Sequence, residues 1–136
     1  MTILSLGSGK KQTVLISGSS TGIGEAAAKL LAEKGWTVFA GVRKQADADK
    51  LKSYSANIRP VFLDVTKDDQ VKEAVEQVRV AVGEDGLDAL INNAGIAYGG
   101  PTEFISLEDV QGQFEINVFG FIRLTQAAMP LIRMGK

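Results

Sequence analysis

Residues 17–24 read SGSSTGIG, in which three glycines stand at a GxxxGxG spacing. An apolar run, residues 13–17, leads into this stretch, and a helical pattern, residues 22–34, follows it. Glycine lets the backbone turn tightly and approach a ligand, while a helix N-terminus offers unpaired N–H groups and a partial positive charge. The position of these glycines between a strand and a helix therefore predicts a site for the pyrophosphate of a nucleotide.

The glycines of this sequence have two alternative interpretations, an ordinary turn and a P-loop. A glycine-rich loop can be an ordinary turn without any ligand. The other common phosphate motif, the P-loop GxxxxGK[ST], can be tested at Gly9 and Lys10. It would require Gly at position 4 and Ser or Thr at position 11, where the sequence has Leu4 and Lys11. The P-loop is excluded there.

Short β-type runs alternate with longer helical patterns along the chain, and this alternation predicts βαβ units around a parallel sheet. After the first strand we expect strands at residues 37–42, 59–63 and 87–92. The strand at 59–63 contains Pro60 near its start, which is tolerated on an edge and predicts an outer position in the sheet.

Four helices are expected between and after these strands. The first, residues 22–34, is predicted to bury apolar residues at helical spacing, namely Ile23, Ala27, Leu30 and Leu31. The second covers residues 46–52. The third is predicted to begin with a capping box of Thr66 and Asp69 and to bury one side composed of Val71, Val75, Val78 and Val82. The fourth runs from an N-cap at Ser106 towards Met134 and is expected to bend at Pro130.

The composition is that of one folded domain, predicted to span residues 1–136 with a flexible N-terminal segment at 1–11. Apolar residues make up 45% and charged residues 23% of the 136 residues. The formal charge of −1 and the lack of a basic stripe argue against nucleic acid as a partner. Because the chain has no Cys and no His, we expect no metal site and no catalytic triad. No apolar run approaches the ~20 residues of a membrane span, so a cytoplasmic location without membrane contact is expected.

In its strand–helix context, the GxxxGxG spacing resembles the fingerprint of the short-chain dehydrogenase/reductase family, whose members are single-domain Rossmann-fold oxidoreductases. Three later segments agree with this resemblance: Asp64-Val65 after the third strand, the NNAG motif of residues 92–95 after the fourth, and Asn117 in the final helix. The resemblance covers nearly all of residues 12–136. It implies an α/β fold with a Rossmann-type doubly wound parallel sheet, truncated here after the fourth strand and the following helix.

The resemblance also implies a cofactor site. The residues that it assigns to cofactor binding are Gly18, Ser20, Thr21, Gly22, Ile23, Gly24, Arg43, Asp64, Val65, Asn92, Ala94 and Gly95. Within this set, Asp64 is expected to contact the adenine and the NNAG motif to close over the cofactor. Asn117 is expected to organise a water molecule in a proton relay. Taken singly, Asp64 could instead cap a turn and Asn117 could lie on an exposed face.

The end of the second strand predicts which nicotinamide cofactor is used. A carboxylate at this point binds the ribose 2′-OH of NAD, whereas a basic group suits the 2′-phosphate of NADP. The sequence GVRK, residues 41–44, has no carboxylate, and Arg43 lies close to the expected ~20 residues beyond Gly24. We therefore predict NADP(H). NAD(H) is the alternative, in which case Arg43 and Lys44 form an ordinary solvated loop.

The family's reaction is a hydride transfer between the nicotinamide and an alcohol or carbonyl substrate, and it uses a Ser and a Tyr followed four residues later by a Lys. Four residues after Tyr54 comes Ile58, and four after Tyr98 comes Thr102. Of the family's catalytic tetrad only Asn117 is present. We therefore expect this chain, as a fragment or incomplete copy of a dehydrogenase, to bind cofactor without turnover. The alternative is a standalone, non-catalytic dinucleotide-binding module.

The final helix predicts self-association. Its apolar residues lie on more than one face, and the fourth strand would present an open hydrogen-bonding edge. In the family that the chain resembles, this helix helps to form the subunit interface. We therefore expect a homo-oligomer, while the identity of the small-molecule substrate stays open.

Overall fold

The computed structural model describes residues 9–135, in which four strands pair side by side in the order β3-β2-β1-β4. The strands are β1 (Thr13–Ile16), β2 (Thr37–Val42), β3 (Ile58–Phe62) and β4 (Ala89–Ile91). All three pairings are parallel, as the alternation of strands and helices predicted. The chain builds the sheet outward from β1 in one direction and then returns to place β4 on the other side of β1. This is the expected Rossmann-type order, with its switch point between β1 and β4.

Helices connect the strands and cover the sheet. They are α1 (Gly22–Glu33), α2 (Gln45–Tyr54), α3 (Asp68–Val82), α4 (Leu107–Phe114) and α5 (Phe121–Met134), with a 3₁₀ turn at Gly83–Asp85 and a π-helical segment at Glu115–Gly120. Among the described residues, no helix combines the length and the apolar character needed to cross a membrane. Most of the N-terminal segment expected to be flexible, residues 1–8, lies outside the described residues.

Two hydrophobic cores, one on each face of the sheet, hold the layers together. Successive side chains of a strand point to opposite faces. Val14 and Ile16 of β1 accordingly pack with α1 and α2, whereas Leu15 packs with α3 and α5. Because every residue of β1 and β2 is buried, both strands are apolar nearly throughout, as parallel strands covered on both faces must be.

The buried face of α1 differs from the predicted one. Ile23 and Leu30 are 82% and 53% exposed, and the fully buried positions of the helix are Gly24, Ala28 and Ala32. Small residues on this face let the helix backbone approach the sheet closely beside the glycine loop. The prediction, which took the face from apolar residues at helical spacing, was wrong for Ile23 and Leu30. The other two predicted residues, Ala27 and Leu31, are half-buried and pack against the core, so the buried face is rotated by about one residue.

The valine face of α3 is confirmed, but its predicted capping box is wrong. Val71, Val75, Val78 and Val82 are buried. The N-cap residue is Lys67, and it makes no side-chain capping hydrogen bond. The hydroxyl of Thr66 donates to Oδ1 of Asp64 at 2.7 Å. This hydroxyl therefore stabilises a local turn and does not cap the helix.

The outer strand and the start of the last helix agree with the predictions. β3, with Pro60, lies at the edge of the sheet. The Ser106 hydroxyl accepts a hydrogen bond from the amide of Asp109 at 3.0 Å and so caps α4. α5 runs through Pro130, and the π-helical segment at Glu115–Gly120 lies upstream of it. The sequence analysis did not anticipate this segment.

Asp88, just before β4, holds the start of β1. Its Oδ2 accepts hydrogen bonds from the amide and the hydroxyl of Thr13, at 2.8 and 2.9 Å, and Lys10 lies 3.4 Å from its Oδ1. Burial raises the pKa of Asp88, but the hydrogen bonds from Thr13 and the charge of Lys10 outweigh it, so its pKa lies below the ordinary value. The ionised carboxylate thus ties the start of β1 to the residue that precedes β4.

Replacing Asp88 by Asn is expected to lower the free energy of unfolding near neutral pH by about 1–2 kcal/mol, because the part-buried Thr13 groups lose a charged acceptor. The folded-state pKa of Asp88 lies below that of an unfolded aspartate, which is about 3.9. Its stabilisation is therefore complete above about pH 5 and is lost progressively as the pH falls through the unfolded-state and then the folded-state pKa. Urea unfolding at several pH values measures this effect. Asp49→Asn, at an exposed helical carboxylate, serves as the control, and a difference for Asp88→Asn that stays constant into acid pH would contradict the assignment.

Candidate functional site

A cleft of about 300 Å³ opens at the carboxyl ends of the four strands. It lies at the switch point of the sheet, where the segments after β1 and β4 leave in different directions. Each strand contributes a wall through the residues that follow it, and the π-helical segment contributes Ile116. Nine of the twelve residues predicted to bind the cofactor line this cleft: Gly18, Ser20, Thr21, Ile23, Arg43, Asp64, Val65, Ala94 and Gly95.

The other three predicted residues are not among the residues that line the cleft. Gly22 and Gly24 are the first and third residues of α1. The Nδ2 atom of Asn92 donates to Oγ1 of Thr125 on α5 at 2.9 Å. The Oδ1 atom of Asn92 is buried and makes no hydrogen bond within residues 9–135. Asn92 therefore links β4 to α5.

Two glycines allow the segments around the cleft to touch. Gly18 has φ +66°, and a Cβ atom there would lie 2.7 Å from Cα of Ala94. A Cβ atom on Gly24 would lie 2.2 Å from the carbonyl oxygen of Gly18 and 2.4 Å from Nδ2 of Asn93. Both distances are far below van der Waals contact, so only glycine fits at either position.

Ser17, which the sequence analysis did not assign to the site, and Asn93, the second residue of the NNAG motif, join the glycine loop to the segment after β4. The fully buried Ser17 hydroxyl accepts hydrogen bonds from the amides of Asn93 and Ala94, both at 3.0 Å. In return, Nδ2 of Asn93 donates to the carbonyl oxygens of Ser17 and Gly18, at 3.1 and 2.8 Å. The two segments form one hydrogen-bonded unit. A polar residue that ends an apolar strand was the only sequence signal for Ser17.

The N-terminus of α1 faces the cleft with its amide donors available. Thr21, the N-cap residue, makes no side-chain capping hydrogen bond. The loop before it is held from behind, because the amide of Ser19 donates to the Gly41 carbonyl at 2.8 Å and its hydroxyl to the Ile16 carbonyl at 3.0 Å. Uncapped N–H groups and the helix dipole together favour an anionic group at this point.

Two charged side chains stand on the opposite side of the cleft, after β2 and β3. Burial raises the pKa of Asp64, but hydrogen bonds from the hydroxyl and amide of Thr66 and the charges of Arg43 and Lys67 outweigh it, so its pKa lies below the ordinary value. Asp64 is thus an ionised acceptor in the cleft wall. Arg43 is exposed at the rim.

Asn117 lies in the π-helical segment and holds the chain after β4. Its Oδ1 accepts from the amide of Ile96 at 2.9 Å, and its Nδ2 donates to the carbonyl of Ile96 at 2.7 Å. The side-chain amide is therefore engaged with the backbone of the cleft wall. The role in a water relay that the resemblance implied for Asn117 stays a prediction.

The arrangement fits a dinucleotide. Close backbone approach at the glycines and the open N-terminus of α1 suit a pyrophosphate. The Asp64 carboxylate accepts hydrogen bonds, as recognition of a base amino group requires, and the Arg43 guanidinium suits a phosphate at the rim. These groups are brought together from positions far apart in the sequence, because the carboxyl ends of parallel strands share one edge of the sheet.

Known proteins share this architecture. The NADPH-dependent 3-dehydrocapnine reductase of Ornithobacterium rhinotracheale is 37% identical over 123 residues, covering 90% of this chain and 44% of that protein. The NADPH-bound carbonyl reductase from chicken fatty liver superposes with a TM-score of 0.84 at 30% identity, covering 92% of this chain and 53% of that one. The 3-ketoacyl-(acyl-carrier-protein) reductase of Brucella melitensis, complexed with NADH, superposes with a TM-score of 0.81 at 30% identity, covering 88% and 49%.

The chain spans less than half the length of the curated relatives that it matches, between 38% and 44% of each of the most similar ones. The family model described as short chain dehydrogenase matches residues 12–136, and the chain therefore belongs to the short chain dehydrogenase family.

Proposed function

We propose that this chain binds NADP(H) in the cleft and is the cofactor-binding part of an oxidoreductase that acts on an alcohol or carbonyl group. The observation that carries the proposal is the glycine loop, joined by Ser17 to the segment after β4, with the uncapped N-terminus of α1 beside it. Two of the similar proteins, an NADPH-dependent reductase and an NADPH-bound carbonyl reductase, support it.

Each part of the cleft has a task in this proposal. The amides at the start of α1 bind the pyrophosphate, and Asp64 accepts a hydrogen bond from the adenine amino group. Arg43 binds the 2′-phosphate. The bound cofactor supplies the hydride that is exchanged with the substrate carbon. Asn117 holds Ile96, and with it the wall of the cleft after β4.

Arg43 is the reason for preferring NADP(H) to NAD(H). A guanidinium fork matches phosphate oxygens, and a charge-assisted hydrogen bond contributes about 1.5–3 kcal/mol. The only carboxylate among the residues lining the cleft is Asp64, which follows β3 rather than β2. NAD(H) remains the alternative, and the NADH complex of a structural relative supports it.

We further propose that these 136 residues bind cofactor without turnover. Tyr54 donates to Glu33, and this hydrogen bond, with burial, raises the pKa of Tyr54, whereas a catalytic Tyr requires a lowered pKa. Tyr54 and Tyr98 do not line the cleft. A standalone dinucleotide-binding module is the second candidate function, and the same observation favours it.

Partners and location complete the proposal. The substrate of the whole protein is a small alcohol or carbonyl compound, and the location is cytoplasmic. Self-association is proposed through exposed apolar residues of the last helices, namely Phe114, Val118, Phe119 and Ile122. Each large apolar side chain left in water forgoes about 1.5–3 kcal/mol of burial.

Arg43→Ala is expected to remove most of a preference for NADP⁺ over NAD⁺ that we place at roughly 10- to 150-fold, while leaving NAD⁺ binding nearly unchanged. The reason is that NAD⁺ carries no 2′-phosphate for Arg43 to bind. Calorimetric titration of both dinucleotides measures the preference. Arg59→Ala is the matched control, because Arg59 is an exposed arginine on β3 that does not line the cleft. The assignment of Arg43 to the 2′-phosphate would be contradicted if the unmodified chain bound NAD⁺ more tightly than NADP⁺. Equal weakening of both ligands by Arg43→Ala would also contradict it.

The purified 136-residue chain is expected to oxidise no alcohol and reduce no carbonyl compound with either dinucleotide, because it has no Tyr with a Lys four residues later. Absorbance of the reduced nicotinamide over a panel of alcohols and carbonyl compounds is the measurement. Turnover that copurifies with this chain, and persists when contaminating dehydrogenases are removed, would overturn the expectation.

Exchanging both Phe119 and Ile122 for Ser is expected to shift the chain from oligomer to monomer, since the two side chains are about half exposed on the proposed interface. Sedimentation velocity at roughly tens of micromolar measures the distribution. Val80→Ser is the control, because Val80 is exposed on α3, outside this surface. A monodisperse monomer for the unmodified chain would contradict self-association.

A further inference from the structure

Arg123 on α5 connects three parts of the chain behind the cleft. Its side chain is 26% exposed, and its guanidinium donates to the Val65 carbonyl at 2.6 Å and to Oε1 of Glu115 at 2.9 Å. It also forms an ion pair with Asp68 at the start of α3. One side chain thus links the π-helical segment, the first turn of α3 and the segment after β3.

Val65 is held by α5 and the π-helical segment at two points. It lines the cleft directly after Asp64. Gly120 packs against its side chain so closely that a Cβ atom on Gly120 would lie 2.6 Å from Cγ2 of Val65. Arg123 holds the carbonyl oxygen of the same residue. The orientation of the Val65–Thr66 peptide, whose N–H donates to Oδ1 of Asp64 at 3.0 Å, therefore depends on these helical contacts.

The π-helical segment places Glu115 where it can bind Arg123. In a regular α-helix, residues eight apart differ by about 80° around the axis, and residues seven apart share a face. The wider turns of Glu115–Gly120 accommodate about one extra residue, which brings Glu115 and Arg123 to the same face. The hydrogen bond between them, together with the contact of Gly120 on Val65, couples the π-helical segment to the cleft.

We propose that Arg123 is a positioning residue for the dinucleotide: by holding the Val65 carbonyl, it aims the Asp64 carboxylate and so sets which purine the cleft accepts. This inference rests on the proposed binding of NADP(H). A carboxylate accepts a hydrogen bond from the 6-amino group of adenine but faces the acceptor oxygen of a 6-oxo purine. The selectivity between the two bases therefore measures how well the Asp64 carboxylate is oriented toward the 6-substituent of the purine.

Arg79 provides a matched control on the same groove. Arg79 and Arg123 both line the groove between α3 and α5. The Arg79 guanidinium binds Glu76 of its own helix, at 2.6 and 2.7 Å, through two hydrogen bonds. Loss of Arg79 removes the same charge from the same groove without touching the segment after β3.

The experiment compares the unmodified chain with the variants Arg123→Gln, Arg123→Lys, Glu115→Gln and Arg79→Gln. The probes are NADP⁺ and nicotinamide hypoxanthine dinucleotide phosphate, which differ only in the purine, and their Kd values are measured by titration. Arg123→Gln should weaken NADP⁺ binding about tenfold and change the hypoxanthine analogue less than about twofold, so that most of the selectivity is lost. Arg123→Lys and Glu115→Gln keep a positive charge at position 123 and should lose part of the selectivity between the two dinucleotides. Arg79→Gln should lose none of this selectivity.

Hydrogen exchange of the ligand-free chain tests the positioning step without any cofactor. Amides of residues 65–67 should exchange about tenfold faster in Arg123→Gln than in Arg79→Gln, since a local opening is favoured when the Val65 carbonyl loses its donor. If Arg123→Gln does not fold, the same comparison is made with Glu115→Gln. Unchanged exchange, or equal weakening of both dinucleotides, would overturn the role of Arg123. Failure of the unmodified chain to bind NADP⁺ would instead overturn the proposed function.

Discussion

The hydroxyl of Ser17, buried between two loops, is the contact on which the cleft depends. It accepts two amide hydrogen bonds from the segment after β4, and Asn93 returns two to the glycine loop. A buried amide without an acceptor costs about 1–3 kcal/mol, so these bonds hold the two segments in one arrangement. The glycines follow from this constraint, because the segments come so close that Gly18 and Gly24 leave no room for a Cβ atom.

The opposite side of the cleft is built from charge rather than from close backbone contact. Asp64 is kept ionised by Thr66 and by the nearby positive charges of Arg43 and Lys67, although burial opposes this. Behind it, Arg123 and Gly120 hold Val65 from the last helix. The two sides therefore differ in how they are built. Hydrogen bonds between the glycine loop and the segment after β4 hold the side proposed for the pyrophosphate, while positioned side chains form the side proposed for the adenosine.

All of these contacts lie within residues 9–135. The chain spans less than half the length of its most similar curated relatives, and the proposed chemistry at the substrate belongs to the whole protein. The proposed cofactor binding can therefore be tested separately from the proposed hydride transfer. The contacts proposed for cofactor binding lie within these residues and can be tested in them.

The sequence by itself determined the layers of the fold and the edge of the sheet at which the site lies. Apolar runs of alternating period predicted four parallel strands, the outer place of the Pro60 strand, the valine face of α3 and the cap at Ser106. These features depend on the local spacing of apolar and polar residues along the sequence. That spacing follows directly from which face of a strand or helix is buried. Nine predicted cofactor residues therefore meet in one cleft, because the carboxyl ends of parallel strands must lie side by side.

Only the tertiary structure decided which contacts shape that cleft. The buried face of α1 consists of small residues rather than Ile23 and Leu30. The helix lies so close to the sheet that the residues facing it must be small as well as apolar. Thr66 bonds to Asp64 and does not cap α3. The hydrogen bonds of Ser17 with Asn93 and of Arg123 with Val65 join residues 76 and 58 positions apart. No local period encodes such pairs, because their geometry exists only after the strands and helices have packed.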